Sequence, residues 1–494
     1  MSEQDATEQL KGEFAMVELA EHVEARDVEF QKRNERLVRK LDLYIAPVMM
    51  LLMLISYLDR GNIGFAATQG MTDDIGLTGT QLNTAISIFY IFYVLAEFPT
   101  SLLVKRLQFN RVIPTIAFAW GLVCMCNGFV KSFSGLGVCR LILGLLEGCL
   151  FPSMTLLLAN WYLREELGTR ICYLFIASAL AGAFGGLIAF GILYMEGIAG
   201  YPGWRWLYIL EGIITMVFAI CCVFLVPKNY ETAYFLSLDE KQLMRYRDEQ
   251  SRAYSGGQGH YKLADVKLAA KDMKTWIHGV TQICVVTILY VGFGTFLPII
   301  LKNGFSYTTK QAQYLTIPVN LWGAIVYGIG AILSDQHNAR YLAISTTIPF
   351  GIAGYAILLV FNVPVGVLYF AMFLVATPCF LATGSNIAWL SSNCAPDGKR
   401  AASLGILLTL TNLGGIIAGQ IYQSTSEPRY VLGHSWSLGS LAIAFIGCSI
   451  MRIIYQRREK SKGESRAKLG RGEESGVPKL WHPTDRGLDF KYLL

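Results

Sequence analysis

Twelve long apolar blocks divide this chain, near residues 42–67, 84–106, 111–131, 136–161, 168–195, 205–226, 276–301, 312–334, 341–361, 364–391, 401–423 and 435–455. A helix that spans a bilayer needs about 20 mostly apolar residues, and each block supplies roughly that many. The 494 residues could in principle fill several soluble domains. However, 53% of them are hydrophobic and only 16% charged, against about a quarter charged in a soluble domain. The apolar residues also come in blocks, not in amphipathic stripes. Many blocks are rich in Gly, as in Ala181-Gly-Ala-Phe-Gly-Gly-Leu187, which permits close helix packing. The expectation is an all-α membrane protein with twelve transmembrane helices.

An even number of spans puts both termini on one side of the membrane, and the distribution of Lys and Arg chooses that side. Loops after the even-numbered blocks carry Lys105, Arg106, Arg111, Arg164, Arg170, Arg340, Lys399 and Arg400, and the central loop and both tails are basic as well. The opposite loops carry only Lys131, Arg205, Lys302, Lys310 and Arg429. Both termini and the central loop are therefore expected in the cytoplasm. The net charge of +6 reflects this asymmetry and not nucleic-acid binding.

The organisation that follows is a cytoplasmic N-terminal tail (1–41), a six-helix bundle (42–226), a cytoplasmic central loop (227–275), a second six-helix bundle (276–455) and a cytoplasmic C-terminal tail (456–494). The first 41 residues are polar, and the first apolar run is too long for the core of a signal peptide, so no cleavable leader is expected. Within the central loop, 261–274 has helical character and a basic run, Lys267, Lys271 and Lys274, suited to an anionic lipid surface. The charged, Gly-rich tail from 456 is expected to be disordered. The eleven Cys mostly fall in apolar blocks, where Cys is a small apolar residue, and no disulfides are expected. An internal repeat should place similar loop motifs after the second block of each half. Gly330-Ala-Ile-Leu-Ser-Asp335, followed by Arg340, is one such motif. Ser101-Leu-Leu-Val-Lys-Arg106, followed by Arg111, is its counterpart without the acid.

Charges inside membrane spans are costly and usually face the protein interior. The first block holds Asp59 and Arg60, in Tyr57-Leu-Asp-Arg-Gly-Asn-Ile-Gly-Phe65. The second holds Glu97, two residues before Pro99, and the fourth holds Arg140 and Glu147. A separation of seven puts Arg140 and Glu147 on one helix face. At 1.5 Å per residue, Asp59 lies about 6 Å from the midplane, Glu147 close to it and Arg140 about 10 Å out. All four fall in one slab, which reads as a buried site of two cations and two carboxylates. Whether such a carboxyl keeps its proton depends on the balance between burial and a neighbouring Arg, and an anionic substrate can shift that balance. The alternative is a static ion pair that fixes packing. Glu97 reads as structural. Glu211 is expected near the outer surface with Arg205 as its partner, beside the interface aromatics Trp204 and Trp206. In the second half the polar candidates are Asn320, Asn386 and Asn412, with Tyr314 and Trp322 as walls.

No enzyme or pump signature competes with a carrier. The chain has no Gly-x-x-x-x-Gly-Lys-Ser/Thr phosphate loop and no His-Glu-x-x-His metal motif. No cofactor or metal is expected. An Arg-studded voltage-sensor helix and a Thr-Val-Gly-Tyr-Gly filter are also missing.

Taken together, Tyr57-Leu-Asp-Arg-Gly-Asn-Ile-Gly, Arg140 seven before Glu147 in Gly-Leu-Leu-Glu-Gly-Cys-Leu-Phe-Pro, and Gly-Trp-Arg-Trp-Leu-Tyr-Ile-Leu-Glu-Gly resemble the anion:cation symporter family of the major facilitator superfamily. The fungal allantoate permease branch, with permeases for allantoate, nicotinate, pantothenate and biotin, is the most similar. The likeness spans about residues 40–455. It implies the major facilitator fold and an alternating-access, proton-coupled carrier of organic anions. It further implies that Asp59 and Glu147 are protonation sites and that Arg60 contacts the substrate carboxylate. Arg140 would link the network, while Tyr93 and Asn412 would line the site. The two loop motifs depart from the superfamily's Gly-x-x-x-Asp-Arg pattern.

The function expected is proton symport of a small carboxylate such as a nicotinate-, pantothenate- or allantoate-like nutrient. The expected partners are protons and membrane lipid, the location is the plasma membrane or a vacuolar or other internal membrane, and the carrier is expected to work as a monomer. Proton-driven export of a secondary metabolite is the alternative, and a non-transporting nutrient receptor is a third possibility.

Overall fold

A computed structural model describes residues 29–103, 109–254, 263–337, 339–423, 426–470, 485, 487–488 and 490–493. Every extended element in it is a helix. The first, α1, runs Ala46–Thr68 and follows a helical run over 29–44. Then come α2 (Gln81–Leu103), α3 (Phe109–Asn127), α4 (Phe133–Gly148), α5 (Leu150–Trp161), α6 (Arg164–Ile192) and α7 (Gly203–Leu225). The segment between the two halves forms α8 (Leu238–Tyr254) and α9 (Leu263–Lys271). The second half contributes α10 (Met273–Thr287), α11 (Thr309–Gln336), α12 (Arg340–Leu359), α13 (Val365–Ser392), α14 (Asp397–Ile421) and α15 (Val431–Gly470). Nine helices among the described residues are long and apolar enough to cross a membrane by length and composition.

Two interruptions have local causes. Pro152 cannot donate to the carbonyl of Gly148, and the helix breaks at Cys149 between α4 and α5. Glu147 thus sits at a kink. After α10 the chain widens into π-helical turns over Ile288–Thr295 and Ile300–Gly304, on either side of the short segment Leu297–Ile299. Such turns frequently mark functional positions.

The packing repeats between the halves. In the first, α1 packs on α6 and α7, α2 on α4, and α3 on α4 and α7. In the second, α10 packs on α14 and α15, α11 on α13, and α12 on α13 and α15. These are the same pairings at equivalent places. The halves meet through α6 with α11 and through α2 with α14, which are also equivalent contacts. Glycines let the backbones approach within the first half, since a Cβ on Gly144 would stand 2.3 Å from the Phe89 carbonyl oxygen.

Cross-half hydrogen bonds gather at the end of the bundle that holds the C-terminus of α1 and the N-terminus of α2. Asn83 donates to the carbonyls of Gly419 and Tyr422 (2.7 and 2.8 Å), and Ser87 to that of Ile416 (3.1 Å). Lys302 donates to the Thr68 carbonyl at 2.6 Å. At the same end a Cβ on Gly64 would fall 1.9 Å from the Thr295 oxygen, so α1 and the π-helical turn touch backbone to backbone. This end is closed.

The C-terminal segment differs from the disordered tail expected. Helix α15 continues to Gly470, and Asp485 and Leu493 pack on the opposite end of the second half. Asp485 pairs with Lys274 and Lys399, and Lys399 with Asp272 at 2.6 Å. The Tyr492 ring stacks on Tyr455 at 5.2 Å. Burial alone would raise the Asp272 carboxyl, but Lys274 and Lys399 outweigh it and hold the group below the usual carboxylate range. The central segment also departs from expectation, because the predicted helix over 261–274 ends at Lys271 and restarts after Asp272. Of the two loop motifs, Asp335 and Arg340 form an ion pair, whereas Lys105 and Arg106 lie outside the described residues.

Candidate functional site

Helical geometry separates the neighbours Asp59 and Arg60. Adjacent residues on an α-helix point about 100° apart, so they meet different helices. Arg60 turns toward α2 and α4. Its Nε lies 2.8 Å from Glu147 Oε2, and its Nη2 donates to Ser56 Oγ at 3.3 Å. Ser56, one turn earlier on the same face, donates to Glu147 Oε2 at 2.9 Å. The Arg60 guanidinium also sits 4.6 Å from the ring centres of both Tyr57 and Tyr93. The second Glu147 oxygen, Oε1, is buried without a hydrogen-bond partner.

Asp59 turns the other way, toward α3 and α7. Trp120 Nε1 donates to its Oδ2, and Cys124 Sγ donates to Oδ1 at 3.3 Å. Arg140 donates to Tyr208 Oη at 2.9 Å. Although it shares a helix face with Glu147, the two do not pair. The four intramembrane charges therefore form two adjoining groups rather than one four-membered cluster.

A cavity of about 40 Å³ lies between the halves, lined by Tyr57, Tyr93, Glu97, Phe151, Tyr327, Phe380 and Asn412 among others. That is room for a water and not for a six-membered ring. Tyr93 and Asn412 thus face the cavity, while Arg60 stands behind the Tyr57 and Tyr93 rings. Glu97 accepts from Asn412 at 2.9 Å, bridging α2 to α14 across the halves.

A family model described as Major Facilitator Superfamily matches residues 49–419. The chain belongs to the Major Facilitator Superfamily. Its relatives include an uncharacterized transporter of Schizosaccharomyces pombe, 38% identical, with 94% of this chain and 91% of the relative aligned. The high-affinity nicotinic acid transporter of Saccharomyces cerevisiae is 32% identical over 93% of this chain and 85% of its own length. The latter supports the fungal permease branch identified from the motifs. Among solved structures, a D-xylose-proton symporter shares the fold at a TM-score of 0.64 with 13% identity, covering 83% of this chain and 97% of that one. This major facilitator protein is a multi-pass membrane transporter and not an enzyme.

Several residues of this transporter stand elsewhere than their sequence implies. Arg205 pairs with Asp74 at 2.8 Å and not with Glu211. Glu211 is buried beside Asn62 in the bundle, and Trp204 is buried too, donating to Asp74 instead of marking an interface. Tyr314 and Trp322 are 41% and 42% exposed on the outer wall and do not line the cavity. Asn320 packs against Gly182 where α6 meets α11. Asn386 joins His278 and Gln282 in a buried network that sequence reasoning missed. Glu97, read from the sequence as structural, lines the cavity. Its spacing of four from Tyr93 puts the two on one helix face, and that was the available signal.

Proposed function

We propose that this chain is a proton-coupled symporter of a small organic anion, a nicotinate-like monocarboxylate, working by alternating access. The observation that carries this reading is Arg60, a buried cation held by Glu147 and two tyrosine rings at the edge of the cavity. A planar guanidinium suits bidentate capture of a carboxylate. In this reading the substrate carboxylate replaces Glu147 as the partner of Arg60. Glu147 takes up a proton at the same time, so the buried charge is unchanged. Asp59 carries a second proton. The neutralised site then lets the two six-helix bundles rock about it. Arg140 steadies the network through Tyr208, while Tyr93 and Asn412 line the path.

Twelve spans, cytoplasmic termini, a plasma-membrane location and a monomeric carrier complete the proposal. The relationship to a fungal nicotinic acid transporter supports the choice of substrate class. A thermal-shift panel of carboxylates, vitamins and ureides on the purified protein tests the substrate. Stabilisation by a monocarboxylate such as nicotinate, reduced in Arg60→Lys, is expected. Stabilisation only by uncharged compounds would overturn it.

A further inference from the structure

Asp59 and Glu211 face each other across α1 and α7, on the side of α1 turned away from the cavity. Both are buried, at 2% and 4% exposure, and Asn62 between them is fully buried. Asn62 Nδ2 lies 2.5 Å from Glu211 Oε2 and 3.5 Å from Asp59 Oδ1. Asn62 Nδ2 thus bridges the two carboxyl groups. The titratable and charged groups around the pair are Cys124 from α3, Arg140 and Glu147 from α4, Tyr208 from α7, and Arg60 next to Asp59 on α1. Arg140 gives its Nη2 to Tyr208 and pairs with neither acid.

Two acceptor atoms in this group, Glu211 Oε1 and Asn62 Oδ1, are buried and have no hydrogen-bond partner. A buried orphan acceptor is costly, and two buried carboxylates bridged by one amide nitrogen cannot both ionise cheaply. One added hydrogen remedies both. Placed on a carboxyl oxygen, it becomes a donor among surplus acceptors and removes one of two negative charges. A metal cation is a poorer occupant, because Trp120 Nε1, Cys124 Sγ and Asn62 Nδ2 already aim hydrogens at the acids.

We propose that Asp59 and Glu211 form one proton-binding site that holds a single proton between them, and that Glu211 is thereby a coupling residue of the transporter. The role in transport rests on the proton-coupled reading above, whereas the proton site itself does not. Because Asp59 adjoins Arg60, a turn of α1 that frees Arg60 from Glu147 also displaces Asp59 relative to Glu211. Substrate capture on one face of α1 is thereby linked to proton binding on the other.

Infrared difference spectroscopy of the full-length protein in nanodiscs, between neutral and alkaline pH, tests the site without any substrate. A protonated-carboxyl C=O band that shifts in heavy water is expected in the wild type and in Glu147→Gln. It should disappear in Asp59→Asn and in Glu211→Gln. If Glu211→Gln does not fold, Glu211→Asp should retain the band at a shifted frequency. An unchanged band in Glu211→Gln, or in Asp59→Asn, would overturn the proposal. Loss of the wild-type band on adding sodium at constant pH would also overturn it, in favour of a cation site. Failure to stabilise with carboxylates in the thermal-shift panel would leave this result untouched, so the two claims fail separately.

Discussion

Arg60 and Glu147 join the first and fourth membrane blocks through a 2.8 Å ion pair buried at the helix kink before Pro152. An ion pair in this setting is stable only while both partners remain, because an unpaired buried charge costs several kcal/mol. The pair therefore opens only when something replaces a partner. A carboxylate for Arg60 and a proton for Glu147 are the two replacements that leave no charge stranded.

Arg60→Lys separates charge from shape. It keeps a cation for Glu147 but loses the planar stacking between Tyr57 and Tyr93 and the fork that grips a carboxylate. Binding of the carried anion should weaken about tenfold or more, roughly 1.4 kcal/mol, with the protein still folded. Direct binding measurements alongside a size-exclusion profile check this.

Gly64 has no room for a side chain, since its Cβ would fall 1.9 Å from the Thr295 backbone oxygen. Gly64→Val should hold the closed end apart and reduce transport at least tenfold, while leaving the rest of each half packed. A cysteine placed at Ser87, which bonds across the halves at that end, should react with an impermeant thiol reagent in the variant. In the parent it should be protected.

Asp485→Ala removes the partner of Lys274, whose side chain is 0% exposed. Breaking such a buried pair should cost about 3 kcal/mol, although Asp272 remains 3.4 Å away and tempers the loss. The tail should detach and Cys394, buried where the Asp485 amide meets the Ala395 carbonyl, should become reactive. Thiol labelling against a background lacking the other cysteines reads this.

Acidification should release the same tail. The Asp272 carboxyl is depressed in the fold, so its contribution is complete above the ordinary Asp value of 3.8. It declines as the pH falls below that value and is lost once the pH passes the folded value. The fluorescence of Trp389, whose indole N–H donates to the Leu493 carbonyl at 3.0 Å, should therefore be flat across neutral pH and change only in strong acid, read in a background with the other tryptophans replaced by Phe.

Apolar block lengths placed the helices well, because lipid leaves a long apolar run few alternatives to a helix. Periodicity also carried more than block lengths used. Ser56 and Arg60, four apart, mark one face of α1, and Asp59 with Asn62, three apart, mark another. The identity of the helix facing each side was not legible, since it depends on which blocks pack together. That is why the sequence pairs Glu211 with Arg205, whereas in the fold it meets Asn62. The tail escaped for a similar reason. A charged, Gly-rich segment reads as disordered, but the distant Lys274, Lys399 and Tyr455 give Asp485 and Tyr492 something to dock on.

Uphill uptake of nicotinate into proteoliposomes under an imposed inward proton gradient, compared between the wild type and Glu147→Gln, tests the central claim most directly. The account predicts concentrative uptake by the wild type, and by the variant exchange of internal for external nicotinate without accumulation. Equal accumulation by both would contradict it.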